Sequence, residues 1–154
     1  MKTIKRRKLE KKTDYRGRLS LLKSGKPRLI VRKTNRYIIA QIVESDVAQD
    51  RVVFGANSKQ LIGKGWPENE AGKLKNRTAA YLTGYLLGNE AKSKIKEAIL
   101  DIGMNRNIKK SRIYAVLKGA LDSGLVVPHS EEALPTIEEI GSKEKINKIL
   151  EKIK

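Results

Sequence analysis

Cations, an amide and an aromatic ring are grouped in one short stretch, residues 28–43, with the sequence RLIVRKTNRYIIAQIV. Two apolar runs rich in β-branched residues flank the polar residues 33–36, and this pattern predicts a β-hairpin. Asn35 tolerates positive φ, so we expect the chain to reverse there. Such a hairpin could bind a phosphate backbone and stack on a base. The alternative is a solvated tip that is basic only because the whole chain is basic. The side chains concerned are Arg28, Arg32, Lys33, Asn35, Arg36 and Tyr37.

The positive charge of the chain is concentrated at one end. The net charge is +17. Residues 1–36 carry fifteen Lys and Arg side chains and two acids, whereas the other 118 residues carry nineteen and fifteen. Such a concentration indicates a polyanionic partner. Because few large apolar residues accompany the cations, the segment lacks the apolar face of an interfacial helix, and nucleic acid is favoured over membrane.

Composition excludes several other classes of protein. A chain of 154 residues is long enough for one domain with a core. It has no cysteine and a single histidine, His129, so we expect neither disulfides nor a metal site, and no cofactor. Its apolar runs are far shorter than a membrane span, and its N-terminus lacks a secretory signal. We therefore expect a cytoplasmic protein.

The elements that must position these side chains follow from periodicity and turn residues. Residues 1–14 are too charged to fold alone and are predicted to form an arm that orders on its partner. A helix is predicted at 15–23, stopped by residues 24–27, and is followed by hairpin strands at 29–31 and 38–43. A connection at 45–49 leads to a strand at 50–56 and a loop at 57–69. After these we predict a helix at 70–87 stopped by Gly88, a strand at 98–102, a loop at 104–110, a helix at 111–123 and a strand at 125–127.

Three strands in an antiparallel meander, followed by helix-linked strands, predict an α/β fold with a mixed sheet and packed helices. Ser111 can cap the helix that follows it, Gly124 ends that helix, and a further helix from Lys145 is predicted to dock on the body or to contact a protein neighbour. Three alternatives stay open. The run at 98–102 could be helical, Trp66 could either cap the core or stack on RNA, and Tyr81 with Tyr85 suits the core better than a ligand site.

Several segments, taken in order, carry a resemblance to a known family. They are the basic arm, TDYRGRLSLLKSGKPRLIVRKTNRYIIAQIV, GANSKQL, GKGW, NRTAAYLTGYLLG and RIYAVLKGALDSGLVVPHS. Together they resemble the family of the eighteenth large-subunit ribosomal protein, the 5S ribosomal RNA binder, in its archaeal and eukaryotic form. The resemblance covers nearly the whole chain, and the tail after Ser130 is its least distinctive part.

The resemblance implies a ribonuclease H-like fold of the translational-machinery-component type with a basic N-terminal extension. It implies a structural, non-enzymatic role in the central protuberance of the large ribosomal subunit, where the family ties 5S RNA to the large, 23S-type RNA beside neighbouring ribosomal proteins. The parts would be a basic RNA-binding arm at 1–14, an α/β RNA-binding domain at 15–130, and an acidic segment with an amphipathic helix at 131–154.

By matching position, the resemblance also implies which residues contact RNA. In the arm and the helix after it they are Lys5, Arg6, Arg7, Lys8, Lys11, Lys12, Tyr15, Arg16 and Arg18. The hairpin residues are the six named above. Weaker candidates are Ser58, Lys59, Lys64, Trp66, Arg106, Lys109, Lys110 and Arg112. The expected mechanism is electrostatic capture that weakens steeply with salt, followed by recognition of RNA shape, with Asn35 and Tyr37 contacting hydroxyls or bases.

Two other functions compete with this one. A ribonuclease H-like nuclease needs several carboxylates converging on two magnesium ions. Asp101, in a predicted strand, is the only well-placed acid. Asp46 and Asp50 lie in or at the edge of the connection between strands, Asp122 lies near a helix end, and no strand carries a pair of acids, so we predict no enzyme. The chain also lacks a GxxxxGK[ST] loop and a HExxH pair. The second competitor is a general RNA-binding module that acts outside the ribosome.

Overall fold

A mixed sheet forms the centre of the protein in a computed structural model that describes residues 4–47 and 49–153. Within those residues the sheet has four strands, β1 (Arg28–Lys33), β2 (Ile38–Asp46), β3 (Gln49–Asn57) and β4 (Ile99–Asp101). Their order in the sheet is β3-β2-β1-β4. β1 pairs antiparallel with β2 and parallel with β4, and β2 pairs antiparallel with β3. The predicted α/β fold with a meander and a mixed sheet is confirmed, whereas the ribonuclease H-like assignment stays a prediction.

Helices precede, cover and follow this sheet. They are α1 (Arg6–Leu9), α2 (Tyr15–Lys23), α3 (Arg77–Ala91), α4 (Arg112–Asp122), α5 (Ile137–Ile140) and α6 (Lys143–Ile153). Short 3₁₀ turns occupy Ser58–Lys64, Glu68–Lys73 and Glu131–Ala133. The predicted helix at 15–23 is confirmed with the same bounds, and the helices at 111–123 and from Lys145 are confirmed to within two residues. No helix among the described residues is long and apolar enough to cross a membrane.

The core lies between one face of the sheet and the helix pair α3 and α4. Because side chains alternate along a strand, Leu29 and Val31 of β1 share a face with Ile38, Ala40 and Ile42 of β2, and all five are fully buried. This face packs against α3 and α4. The two helices touch through glycines. A Cβ atom on Gly84 of α3 would lie 2.0 Å from the carbonyl oxygen of Val116 in α4, and one on Gly119 would lie 2.0 Å from that of Tyr81.

Two predicted turns differ in detail from the structure. The chain reverses at Asn35 and Arg36, as predicted, between the paired residues Lys33 and Ile38. Asn35 does not adopt positive φ, and the turn is closed by Thr34, whose Oγ1 accepts a hydrogen bond from Tyr37 N at 2.9 Å. The connection predicted at 45–49 is shorter, because β2 extends to Asp46 and β3 begins at Gln49. Val47 lies in that turn with φ of 51°, and Ala48 lies outside the described residues.

The structure changes the bounds predicted for the first core helix and for the strand at 125–127. Helix α3 begins at Arg77, capped by the side chain of Asn76, because residues 68–73 form a 3₁₀ turn. It runs through Gly88 to Ala91, because Gly88 lies against α4, where a Cβ atom would lie 1.8 Å from Ser123 Oγ. The strand predicted at 125–127 is reduced to one bridge, between Val126 and Glu97. The strand prediction at 98–102 is confirmed over three residues, which removes the helical alternative.

The C-terminal helix docks on the body, as predicted. Ile146, Ile149 and Ile153 of α6 are buried in the core cluster. Lys145 Nζ lies 2.7 Å from a carboxylate oxygen of Glu70, which ties the helix to the turn before α3. Lys154 lies outside the described residues. A contact of α6 with a protein neighbour stays a prediction.

Candidate nucleic-acid interface

One end of the sheet collects the hairpin tip and the starts of both core helices. β1, β3 and β4 run in the same direction, so all three end on that side. The chain then enters α3 after β3 and α4 after β4 from this end. The first turns of the two helices carry Arg77 and Arg112. These cations add to the partial positive charge of a helix N-terminus, so this end of the sheet favours an anion.

Side-chain contacts join these pieces into one surface. Lys75 Nζ donates to the carbonyl oxygen of Asn35 at 3.5 Å, and Arg112 Nη1 donates to that of Lys75 at 3.2 Å. Lys33 and Arg36 are exposed beside them, and the ring of Tyr37 is half-buried against the core. We call this set the tip surface: Lys33, Asn35, Arg36, Tyr37, Lys75 and Arg112. The structure thus brings the predicted hairpin residues close to Arg112, which is 75 residues away from Tyr37 in sequence.

Lys75 is a member of the tip surface that sequence analysis missed. It lies in a group of cations with Lys73 and Arg77 just before the helix. These neighbouring cations were the only sign in the sequence that Lys75 could contact RNA. They were not sufficient, because only the fold shows that residue 75 lies beside the hairpin tip.

Arg28 is a correction to the predicted RNA contacts. Its side chain is 1% exposed, so it cannot reach a phosphate. Its Nη1 donates to Asp101 Oδ2 at 3.0 Å, and its Nη2 donates to Asp50 Oδ1 at 2.8 Å and to Ser45 Oγ at 3.0 Å. A buried charge persists only when it is paired and hydrogen-bonded in this way. Arg28 therefore stabilises the outer face of the sheet.

The same carboxylates orient two arginines that do reach solvent. Arg32, whose side chain is 41% exposed, donates from Nη2 to Asp101 Oδ1 at 3.2 Å and from Nη1 to the Asp101 carbonyl at 3.0 Å. Arg18 of α2 donates to Asp50 Oδ2 at 2.7 Å. Partial burial opposes ionisation of Asp50, but hydrogen bonds from Ser45, Arg18 and Arg28 outweigh it and lower the pKa of Asp50 to about 2. Asp50 is therefore a fixed anion that ties α2 to the sheet.

Ser58 and Trp66 are also corrections, because both are buried. Ser58 is 0% exposed, and its Oγ accepts the backbone N–H of Ile38 at 3.0 Å. Trp66 is 5% exposed, and its Nε1 donates to the carbonyl oxygen of Glu70 at 3.0 Å. The ring is part of the core cluster and cannot stack on a base here. Of the two alternatives left open for Trp66, the structure supports the core cap.

Two predicted contacts are paired with the acidic segment after Ser130. Lys109 Nζ lies 2.7 Å from a carboxylate oxygen of Glu132, and Lys110 Nζ lies 2.8 Å from one of Glu139. The backbone N–H of Lys110 also donates to the carbonyl oxygen of Ala133 at 2.8 Å. Hydrogen bonds from Lys110 and from the Thr136 backbone lower the pKa of Glu139. An RNA phosphate must therefore compete with protein carboxylates for these two lysines.

The described part of the arm is solvated. Every residue of α1 is exposed, and residues 1–3 lie outside the described part of the chain. Lys5 Nζ lies 4.6 Å from the centre of the Tyr15 ring, a cation–π contact that brings the arm to the start of α2. Arg6 and Lys12 both pair with Glu10, at 3.0 and 2.7 Å. The remaining candidates are exposed cations: Lys8, Lys11, Arg16, Lys59, Lys64 and Arg106.

Asp101, the carboxylate best placed for nuclease chemistry, is engaged in hydrogen bonds within the protein. Asp101 is 6% exposed, and its oxygens accept from Arg28, Arg32 and the backbone N–H of Gly103. Two guanidinium groups thus neutralise this carboxylate. Among the described residues, no group of three or more His, Asp or Glu side chains could hold a metal ion.

Comparison with known proteins identifies one family. The family described as ribosomal large subunit proteins 60S L5 and 50S L18 matches residues 1–98 and 89–130. The large ribosomal subunit protein uL18 of Aeropyrum pernix is 49% identical over 137 residues, which is 88% of this chain and 62% of that protein. The protein of the same name from Korarchaeum cryptofilum is 54% identical over 131 residues, or 84% of this chain and 65% of the relative.

A third relative, uL18 of Methanothermobacter thermautotrophicus, is 49% identical over 131 residues, which is 84% of this chain and 66% of that protein. The chain thus spans a little under two thirds of the length of these curated relatives.

Proposed function

The chain belongs to the family of ribosomal large subunit proteins 60S L5 and 50S L18, and from this membership we propose that it is a structural constituent of the large ribosomal subunit that binds 5S ribosomal RNA. In this role it helps attach 5S RNA to the large ribosomal RNA within the central protuberance, beside other ribosomal proteins. Its place in the cell is the cytoplasmic ribosome, and its role is not enzymatic.

The observation that carries the proposal is the tip surface. Cations from the hairpin, Lys75 just before α3 and Arg112 at the start of α4 converge there, although they are far apart in sequence. Arginine binds phosphate or a guanine edge with two parallel hydrogen bonds, and a lysine acts as a point charge. The strands and helices fix the backbone that carries these groups, so the surface can select RNA by shape rather than by charge alone.

The three parts of the chain then have separate tasks. Residues 15–130 form the RNA-binding body, residues 1–14 add cations that raise affinity for RNA in general, and residues 131–154 brace the body. Affinity should fall steeply as salt rises, because bound cations release counterions from the phosphates.

A competition experiment tests the proposal. Labelled 5S ribosomal RNA is bound at moderate salt and challenged with excess transfer RNA. The protein variants are Arg36→Ala on the tip surface and Arg51→Ala, an exposed arginine of β3 beside the opposite turn, which removes the same charge. We expect the wild type and Arg51→Ala to retain 5S RNA, and Arg36→Ala to lose the preference by about tenfold.

Two outcomes would contradict parts of this proposal. If transfer RNA displaces 5S RNA from the wild type on equal terms, the protein is a general RNA-binding module. If Arg36→Ala and Arg51→Ala weaken binding equally, the tip surface supplies charge and no selectivity.

A further inference from the structure

A groove separates the N-terminal segment from the end of β4. Its volume is about 560 Å³, within the roughly 300–1,000 Å³ typical of small-ligand sites. Residues of the arm and of α2 form one wall, and Arg32 with the loop after β4 forms the other. The groove lies on the outer face of the sheet, away from the core helices, and shares no lining residue with the tip surface.

The rim of the groove is cationic. Arg7, Lys12, Arg18 and Arg32 line it, against two carboxylates. The structure fixes several of these cations in place. Arg7 Nε donates to Thr13 Oγ1 at 2.9 Å, and Arg32 and Arg18 are held by the aspartates described above. Because their guanidinium groups are already positioned, little rotamer freedom is lost when they meet an anion.

The groove also carries apolar side chains, and these distinguish it from a simple phosphate site. Met104, which is 52% exposed, forms an apolar wall after β4, and Leu21 of α2 lies half-buried on the opposite side. Leu100 and Ile102 also line the groove, but Leu100 pairs with Leu29 and both pack against the core cluster. Gly103 lies between Ile102 and Met104 with φ of +59°, and the Arg32 guanidinium lies against it, where a Cβ atom would come within 2.8 Å of Arg32 Cζ. The planar guanidinium and the thioether of Met104 are both surfaces on which an aromatic ring can lie.

We propose that this groove holds one unpaired nucleotide of the bound RNA, with its phosphate on the cationic rim and its base against the apolar wall. The proposal rests on the proposed function and adds a second contact of a different kind. A base inside a helix is stacked on its neighbours, so only a nucleotide from a loop, a bulge or an end can present its face in this way. The apolar wall gains contact area from such a base and none from a phosphate alone.

Substitution of Met104 tests whether a base occupies the groove. Met104 is exposed and carries no charge, so Met104→Ala should fold and should leave the electrostatics unchanged. Ile108 is a matched control, because it is an apolar residue of the same loop, 57% exposed, and does not line the groove. Met104→Leu keeps an apolar wall and should behave as the wild type.

The experiment pairs these proteins with altered RNA. Each unpaired nucleotide of 5S ribosomal RNA is replaced in turn by an abasic nucleotide, which removes the base and keeps the phosphate, and dissociation constants are measured for every combination. We expect one position at which the abasic change weakens wild-type binding by roughly fivefold or more. At that position Met104→Ala should bind both RNAs equally, whereas Ile108→Ala and Met104→Leu should keep the wild-type sensitivity.

The outcomes separate this proposal from the proposed function. If the wild type prefers 5S RNA over transfer RNA but no abasic position couples to Met104, the groove takes no base and the proposal is overturned while the proposed function stands. If the wild type shows no preference for 5S RNA, the proposed function fails and the named occupant fails with it.

Discussion

The substitution Asp101→Asn tests whether the buried ion pair on the outer face of the sheet is structural. Asparagine has the same shape and can still accept the backbone N–H of Gly103, which donates to Asp101 Oδ1 at 2.8 Å. Its neutral amide would then face the guanidinium of Arg28, whose Nη1 lies 3.0 Å from Asp101 Oδ2. The variant therefore removes one counter-charge and very little volume.

The expected magnitude follows from the remaining partners of Arg28. Removing one member of a buried pair costs about 3–5 kcal/mol when the other charge is left alone. Here Asp50 and Ser45 still accept hydrogen bonds from Arg28, at 2.8 and 3.0 Å. We therefore expect a loss of roughly 2–3 kcal/mol in the free energy of unfolding, because the charge stays partly compensated. For a chain of this length that corresponds to a decrease of about 5–10 °C in Tm.

Urea denaturation followed by circular dichroism measures this loss, and an unchanged slope with urea shows that the folded state is intact. The control is Glu97→Gln, which breaks an exposed ion pair with Lys26, and whose cost should stay below about 1 kcal/mol. Adding Arg28→Met to Asp101→Asn should recover stability relative to the single variant, because no charge then remains buried. If Asp101→Asn costs no more than Glu97→Gln, the reasoning about Arg28 is wrong.

Three further predictions concern acidity, competition and packing. The pKa of Asp50 in the folded state is about 2 against an ordinary 3.8, so its contribution to stability is complete above about pH 4 and disappears as the pH falls towards 2. The loss of stability caused by Asp50→Asn should therefore shrink between pH 4 and pH 2, which acid titrations of unfolding can measure. Glu139→Gln should strengthen RNA binding about two- to threefold, because it frees Lys110 from its ion pair. Glu138→Gln removes the same charge from an exposed neighbour and should have a smaller effect. Equal effects of the two variants in filter binding would mean that only net charge matters. Gly84→Ala should destabilise the fold by more than about 3 kcal/mol or prevent folding, because its methyl group would collide with the backbone of α4. In Gly63→Ala the added methyl group has no atom within 4 Å, so this control should be close to neutral in thermal melts.

Local patterns were sufficient to predict most elements of the fold. The apolar spacing of α4 places Ile113, Val116, Leu117 and Ala120 on one side, and all four are buried. The β-branched runs around residues 33–36 predicted the hairpin correctly. In these segments the signal lies within a few residues of the element itself, so a single sequence contains it.

The errors concern residues whose role depends on distant partners. Gly88 was interpreted as a helix stop, but it lies inside α3 because α4 packs against it. Arg28 was assigned to RNA because of the cations around it, whereas its partners Asp50 and Asp101 lie 22 and 73 residues away. Ser58 was assigned to RNA by matching position to the family, although its Oγ accepts the backbone N–H of Ile38, 20 residues away. Neither charge nor periodicity contains such pairings, because the fold alone creates them.

Arg28 and Arg32 show how one strand can supply both a structural and a functional cation. Side chains alternate along β1, so these two residues share its outer face, and both bind Asp101. Their side chains are 1% and 41% exposed, because Asp50 and Ser45 enclose the first and only the rim of the groove surrounds the second. Asp101 therefore neutralises the buried arginine and orients the exposed one. An arginine held in this way has lost its rotamer freedom before RNA arrives, which lowers the entropic cost of binding.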